Sequence, residues 1–398
     1  MNPSTSGWIE NLCIQISSSS LPYKNYRALY RALKNFGFIY GVNVDATDAF
    51  DKIHKYSEDE LAKINLITAL YHIYAYKFAS TEFTEFSSIL LEFYEKLEVA
   101  DLSLWDRLLI GKSKNSKLER LVNDRIHLED NILTRNFNKS ISNSLLFVDV
   151  LTFAYYLDTD GKIDVKSASA NLEQIIVGTL YQSLNSKQKI SDYDKEVIKI
   201  IETSTSYVNP ELEVEDLIYD ITYNIGPNEK KYLIDLMCLA IWDDEVLEKS
   251  EFQFLKNLAA RLELPNSEIN DSLIDVSRFR KKNRKTIMFF QQSNPISNFF
   301  ENSSQLVNKL IRRNSKRLVK ELQQSKDLLV LITKSTHTDL TKEEQKQMYA
   351  QIKDILKTIP SLAIFLLPGG AILLPIFAKL IPNILPSAFD DNRIEKNS

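Results

Sequence analysis

Residues 359–389, IPSLAIFLLPGGAILLPIFAKLIPNILPSAF, carry a single charge, Lys379, and nothing else in the chain is so apolar. An apolar run of about 18 or more residues ordinarily reads as a membrane helix. Here Pro360, Pro368, Pro375, Pro382 and Pro386, with the Gly369-Gly370 pair, interrupt it. Proline removes an amide donor and clashes with the preceding turn, so a straight span is not expected. The arms between the breaks, Ser361 to Leu367 and Ala371 to Ile381, are seven and eleven residues long. At about 1.5 Å per residue neither arm reaches the ~30 Å of a hydrocarbon core. The pattern predicts a proline-broken apolar hairpin, or one kinked helix continuing from Ile352. Pro368, Pro375 and Pro382 are seven apart and would share one helical face. Carbonyls freed by proline need partners, so that face is expected to lie against protein rather than lipid.

Ahead of this segment the charge is one-signed. Between Arg278 and Lys320 there are twelve Lys or Arg and one acid, Glu301, leaving −15 for the rest of a chain whose net charge is −4. The first cluster is Arg278, Arg280, Lys281, Lys282, Arg284 and Lys285. The second lies on a helix predicted from Ser303 towards Lys334. Its apolar stripe is Val307, Leu310, Ile311, Leu318 and Leu322, and its basic stripe is Lys309, Arg312, Arg313, Lys316, Arg317 and Lys320. The two sets fall on different faces at 3.6 residues per turn. Basic residues next to a membrane-grade segment suit anionic lipid headgroups, at about 1 kcal/mol each, and hold that side cytoplasmic. A nucleic-acid or ribosomal surface and a plain solvated face are the alternatives.

The remainder reads as helical, and the fold class predicted is all-α and multi-domain. Tyr26 to Leu33 repeats apolar residues three and four apart. Ser57-Glu-Asp-Glu60 is a capping box opening a helix through Leu61, Ile64, Ile67, Leu70 and Tyr71. A further helix is predicted over Phe83–Leu97, and an exposed turn over Lys112–Ser116. Trp8, Trp105 and the many Tyr and Phe read as core. Thr341-Lys-Glu-Glu344 is a second capping box, opening a helix that runs into the apolar segment. Four consecutive domains are expected: a helical domain over 1–137, a second over 138–278, a basic connector over 279–340 and the apolar domain over 341–398.

The second region holds a weak repeat. Leu145–Leu157 runs into Asp158-Thr-Asp160-Gly-Lys-Ile163-Asp164, and Leu233–Trp242 runs into Asp243-Asp244-Glu-Val246-Leu-Glu248, an offset of 83 residues between Asp160 and Asp243. Pro227 and Pro265 stand at predicted helix starts, where a missing amide costs nothing. The region resembles the TerB-like modules named after bacterial tellurite resistance, all-helical and carrying Asp-Gly-x-Ile followed by acids. Asp160-Gly161-Lys162-Ile163 fits that pattern, Asp243-Asp244-Glu245-Val246 fits loosely, and Ser167 and Ser250 stand where the family often has Glu. The resemblance implies weak divalent-cation binding by Asp158, Asp160, Asp164, Asp243, Asp244 and Glu248. An EF-hand loop is excluded, because Tyr156 and Ser167 would occupy the first and twelfth ligand positions. Capping of helix N-termini is the competing reading of the same acids.

Residues 329–389 resemble the LETM family, named from leucine-zipper, EF-hand, transmembrane mitochondrial proteins. The likeness rests on Leu340-Thr341-x-x-Glu344, on Pro360, on the apolar run to Pro375, and above all on Leu380-Ile-Pro382-Asn383-x-Leu385-Pro386-Ser387-x-Phe389. It implies an inner-membrane setting tied to cation/proton exchange or to ribosome association. The chain ends nine residues after Phe389, so the family's coiled-coil and EF-hand tail is not expected. A LETM-like end joined to a TerB-like centre resembles bacterial LETM-related biofilm-associated proteins.

Enzyme chemistry has little to stand on. Nine glycines offer no phosphate-binding loop, and neither G-x-S-x-G nor G-x-G-x-x-G occurs. His54, His72, His127 and His337 include no HxxxH pair. Cys13 and Cys238 support neither a disulfide framework nor a zinc site, and the N-terminus lacks the basic and apolar regions of a signal peptide. The expectation is a non-enzymatic scaffold or adaptor on the cytoplasmic side of a membrane. Its partners would be anionic lipid or a membrane protein. A cation/proton transport subunit, working as a homo-oligomer, and a soluble ribosome- or partner-binding protein are the alternatives.

Overall fold

The structure, a computed structural model, describes residues 2–3, 5–18, 21–48, 56–97, 114–126, 146–188, 225–241, 247–284, 314–335, 340–358 and 374–385, with a few single positions between them. Among the described residues there are fourteen α-helices, one 3-10 turn and no strand. The all-α reading holds. The chain divides into two compact units, one of Met1–Glu173, Ile225–Leu247 and Leu255–Ser293, the other of Gln174–Asn224, Glu248–Phe254 and Asn294–Ser398.

The first unit is built around α3 (Glu58–Phe78), whose residues are buried without interruption from Ala62 to Ala75. A helix closed off on every side is a core helix rather than a surface one. Its start is the predicted capping box: the Glu60 amide donates to Ser57 Oγ at 3.3 Å and the Ser57 amide to Glu60 Oε2 at 2.8 Å. Around it pack α1 (Trp8–Ser17), α2 (Tyr26–Asn35), α5 (Lys114–Ile126) and α6 (Leu146–Asp158), while α4 (Phe83–Lys96) lies against α5. The cap of α1 is supplied at long range. Gly7 has no side chain to offer, and the Ile9 amide reaches Glu119 Oε1 at 3.5 Å.

Gly37 turns the chain from α2 into the 3-10 turn Phe38–Tyr40. Its φ is +85°, and a Cβ there would sit 2.2 Å from the Val42 carbonyl oxygen, so only glycine fits. The predicted turn at Lys112–Ser116 needs correction from Lys114 onward, where α5 has already begun. Leu118, Leu121, Val122 and Ile126 are its buried positions, and burying that stripe extends the helix into the polar residues ahead.

Later helices complete the same core. α8 (Pro227–Ile241) packs on α10 (Asn266–Asn283) and on the 3-10 turn. Phe147 of α6 meets Tyr232 of α8 at 4.9 Å between ring centroids. Residues on both sides of position 137 thus belong to the first unit. α7 (Val165–Asn185) and α9 (Lys249–Arg261) each contribute residues to both units.

The second unit contains α11 (Ser315–Gln324), α12 (Lys326–Ser335), α13 (Lys342–Thr358) and α14 (Leu374–Ile384). The single helix predicted from Ser303 to Lys334 is broken. Asn314 (φ −104°, ψ 12°) and Ser325 (φ −116°, ψ 78°) leave the helical region. The reason is burial: Leu318 and Leu322 before the break and Leu328, Leu329, Leu331 and Ile332 after it all face one core. A straight rod would carry the two sets about 15 Å apart along its axis. Ser325 Oγ, donating to Gln351 Oε1 at 2.7 Å, ties the corner to α13.

Candidate functional site

The basic helix α11 and the apolar helix α14 both belong to the second unit. On α11, Leu318 and Leu322 are buried while Lys316, Arg317 and Lys320 are exposed. Just ahead, Val307 and Ile311 are buried and Arg312 is exposed; Lys309, Leu310 and Arg313 lie outside the described residues. The basic stripe therefore stands on a helix whose other side is anchored in a core. Arg278, Lys281, Lys282 and Arg284 are exposed at the end of α10 and Arg280 is half-buried; Lys285 lies outside the described residues. What the sequence shows as one basic stretch is thus shared between two units.

The apolar segment is described from Leu374 onward, so Pro360, Pro368, Gly369, Gly370, Pro386 and Phe389 lie outside it. α14 opens with Pro375 in its first turn, where the missing amide costs nothing, and holds Pro382 and Asn383 in its last. Ile376, Phe377, Ala378, Ile381 and Leu385 are buried in one cluster with residues of α11, α12 and α13, α14 packing on α12, and Leu380 packs at the margin. Lys379 is exposed. One face of α14 is thus seated on protein, with Pro382 half-buried beside it. At eleven residues α14 is about 16 Å long. Among the described residues no helix is long and apolar enough to cross a membrane.

α13 begins at the predicted capping box, the Glu344 amide donating to Thr341 Oγ1 at 3.3 Å and the Thr341 amide to Glu344 Oε2 at 3.0 Å. Lys334 Nζ of α12 reaches Glu344 Oε1 at 2.6 Å, so the cap residue also clamps the neighbouring helix. That ammonium and the Thr341 amide hold the Glu344 carboxyl below the usual range.

The described acidic residues lie at helix ends. Asp160 takes φ +52° at the close of α6, with the Gly161 amide donating to the Tyr156 carbonyl at 2.9 Å. That is a left-handed C-terminal cap. Asp158 pairs loosely with Lys77 at 3.6 Å. Asp164 caps α7, its carboxylate accepting from the Ser167 amide at 3.1 Å and the Ser167 hydroxyl at 2.8 Å, which lowers its pKa. At the start of α9, the Glu248 amide donates to Glu251 Oε2 at 2.9 Å, and Glu248 Oε2 accepts from the Gln188 amide at 3.1 Å. Asp243 and Asp244 lie outside the described residues. Among the described residues no three His, Cys, Asp or Glu gather where a metal could be held.

Two polar centres escaped the sequence reading. Asp149 in α6 receives Arg125 Nε at 3.0 Å and Arg125 Nη2 at 3.1 Å, with the Tyr94 hydroxyl at 3.4 Å. Asp235 in α8 receives the Tyr30 hydroxyl at 2.6 Å, Lys34 Nζ at 2.9 Å, Lys231 Nζ at 3.2 Å and the Ser272 hydroxyl at 2.6 Å. Burial pushes the Asp235 carboxyl up, but the Lys34 and Lys231 ammonium groups and the two hydroxyls overcome this and hold it low. Each is the one acid within an apolar run, Leu145–Leu157 or Tyr232–Ile241, and that was the signal. These networks fasten helices to one another and leave no carboxylate open to a substrate.

Comparison with known proteins adds to the second unit. Residues 340–398 match the family model described as LETM1-like, RBD. The chain is 42% identical over 53 residues to the LETM1 domain-containing protein mdm28, mitochondrial, of Schizosaccharomyces pombe. It is 34% identical over 58 residues to the LETM1 domain-containing protein YLH47, mitochondrial, of Saccharomyces cerevisiae. These matches cover 13% and 15% of this chain and 11% and 13% of the two relatives. No solved structure matches. The C-terminal part of the chain, which carries α13 and α14, is therefore LETM1-like.

Proposed function

We propose that the protein is a non-enzymatic adaptor whose LETM1-like helical unit docks on an anionic membrane surface through the basic face of α11. The supporting observation is the seating of that helix. Leu318 and Leu322 share a core with Ile376, Phe377 and Ile381, while Lys316, Arg317 and Lys320 point away from it. A rigid base loses little conformational entropy when its cations meet headgroups, and each adds about 1 kcal/mol at an anionic leaflet. The helical body, including its TerB-like part, is the cargo or partner-binding portion of such an adaptor.

Vesicle flotation tests this. The full chain floats with phosphatidylcholine vesicles containing phosphatidylglycerol and stays behind with phosphatidylcholine alone. Lys316→Glu, Arg317→Glu and Lys320→Glu together lower the partition coefficient more than 100-fold, at about 1 kcal/mol for each charge removed. Equal flotation with neutral vesicles, or wild-type flotation of the triple variant, overturns the reading.

The buried face of α14 favours a second reading. Its apolar residues find their partners within the chain, so an activity in solution on a ribosome or another protein needs no bilayer. Failure to float combined with co-sedimentation on ribosomes, lost in the same triple variant, selects that reading.

A further inference from the structure

α10 has two unlike faces. Inward it buries Ile269, Ser272, Val276, Phe279 and Asn283, with Phe279 against Tyr40 at 5.1 Å and the Ser272 hydroxyl bonded to Asp235. Outward, Asn270, Leu273, Ile274, Ser277, Arg278 and Lys281 form an open face of the helix. These six recur at three- and four-residue intervals, so they form one continuous stripe along the helix. Ile274 is 53% exposed, one of five large hydrophobic side chains so placed among the described residues. The stripe is graded: an apolar step of Leu273 and Ile274 gives way to cations, and Lys282 and Arg284 are exposed beside its basic end.

We infer that this stripe is a docking site for an acidic peptide segment of a partner protein, with one apolar side chain seated over Leu273 and Ile274 and carboxylates paired with Arg278 and Lys281. Charge complementarity names the occupant. Four exposed cations within about two helical turns, of which Arg278 contacts Asp275 at 3.2 Å, select a negatively charged ligand. The apolar step selects among such ligands. Single-stranded nucleic acid stacks its bases on aromatic rings, and leucine and isoleucine offer none. A helical or extended peptide supplies both an anchor and acids at matching spacing. The site lies in the first unit and shares no residue with the α11 face assigned to lipid.

Fluorescence anisotropy on the full chain provides the test. The probes are labelled, end-blocked twelve-residue peptides with Leu pairs at i,i+3 or i,i+4 spacing in a Glu-rich background, and matched peptides with Lys for Glu. The Glu peptides are expected to bind at least tenfold more tightly than the Lys peptides. Ile274→Glu, and Arg278→Glu with Lys281→Glu, should each weaken binding at least tenfold, and Arg278→Lys should retain it. These side chains face solvent, so helix content by circular dichroism is expected to stay at the wild-type value. The proposal fails if no Glu peptide binds, if the variants bind as the wild type does, or if they leave peptide binding intact and instead lose flotation with anionic vesicles. Because the α11 triple variant leaves this stripe untouched, its loss of flotation with peptide binding retained separates the two assignments.

Discussion

Asp149 and Asp235 are each fully buried in the middle of an apolar helix, and each is held by a cation and a tyrosine from earlier helices. Removing one partner of such a pair strands a charge. Asp149→Ala is expected to cost about 3–5 kcal/mol in urea unfolding, whereas Asp149→Leu with Arg125→Met recovers most of it. A double variant as unstable as the single would show that the ion pair is not what the site requires. His72 makes a second case. Its Nδ1 lies 2.7 Å from the Thr68 carbonyl, which only accepts, so Nδ1 carries the proton, and Nε2 is buried without a partner. Burial lowers its pKa to about 4, so below pH 6.5 the unfolded chain takes up a proton that the folded chain refuses. Its contribution is complete above pH 6.5 and declines as pH falls towards 4, by about 3 kcal/mol in all. His72→Gln should flatten that part of the stability-against-pH curve relative to the wild type. An unchanged slope would refute the assignment.

Elements were legible where their ends carry local chemistry. Ser57-x-x-Glu60 and Thr341-x-x-Glu344 announce helix starts because hydroxyl and carboxylate satisfy each other's orphan amides within four residues. Ser57→Ala should cost about 1 kcal/mol, measured as a shift in the unfolding midpoint. The corner at Ser325 carried no such mark. No glycine or proline interrupts residues 315–335, and the break exists because two apolar stripes must reach one core. α14 was legible as an apolar segment with one face expected on protein, but not which helices would share its core. In aqueous buffer, Ile381→Ala should destabilise the second unit by about 2–5 kcal/mol, as expected for a fully buried position. A residue facing lipid would show no such loss in the absence of a membrane.

At the scale of the whole chain, charge is divided rather than concentrated. The basic stretch that reads as one block is carried by α10 in the first unit and by α11 in the second. Neutralising one face should therefore leave the function of the other intact, and the flotation and anisotropy experiments read the two separately. The sequence alone was enough for the all-α class, the two capping-box helix starts, the LETM-like end and the sign of the charge along the chain. All of these depend on neighbours within one or two helical turns, or on a string of residues read in order. Only the tertiary structure joined residues 1–137 to 227–283 through Tyr30, Lys34 and Asp235, broke the rod at Ser325, and seated Ile376, Phe377 and Ile381 on protein. Those outcomes depend on which distant stripe covers which. Hydrophobic burial is non-directional and sums over the whole core, so a local pattern says that a face will be covered without saying by what.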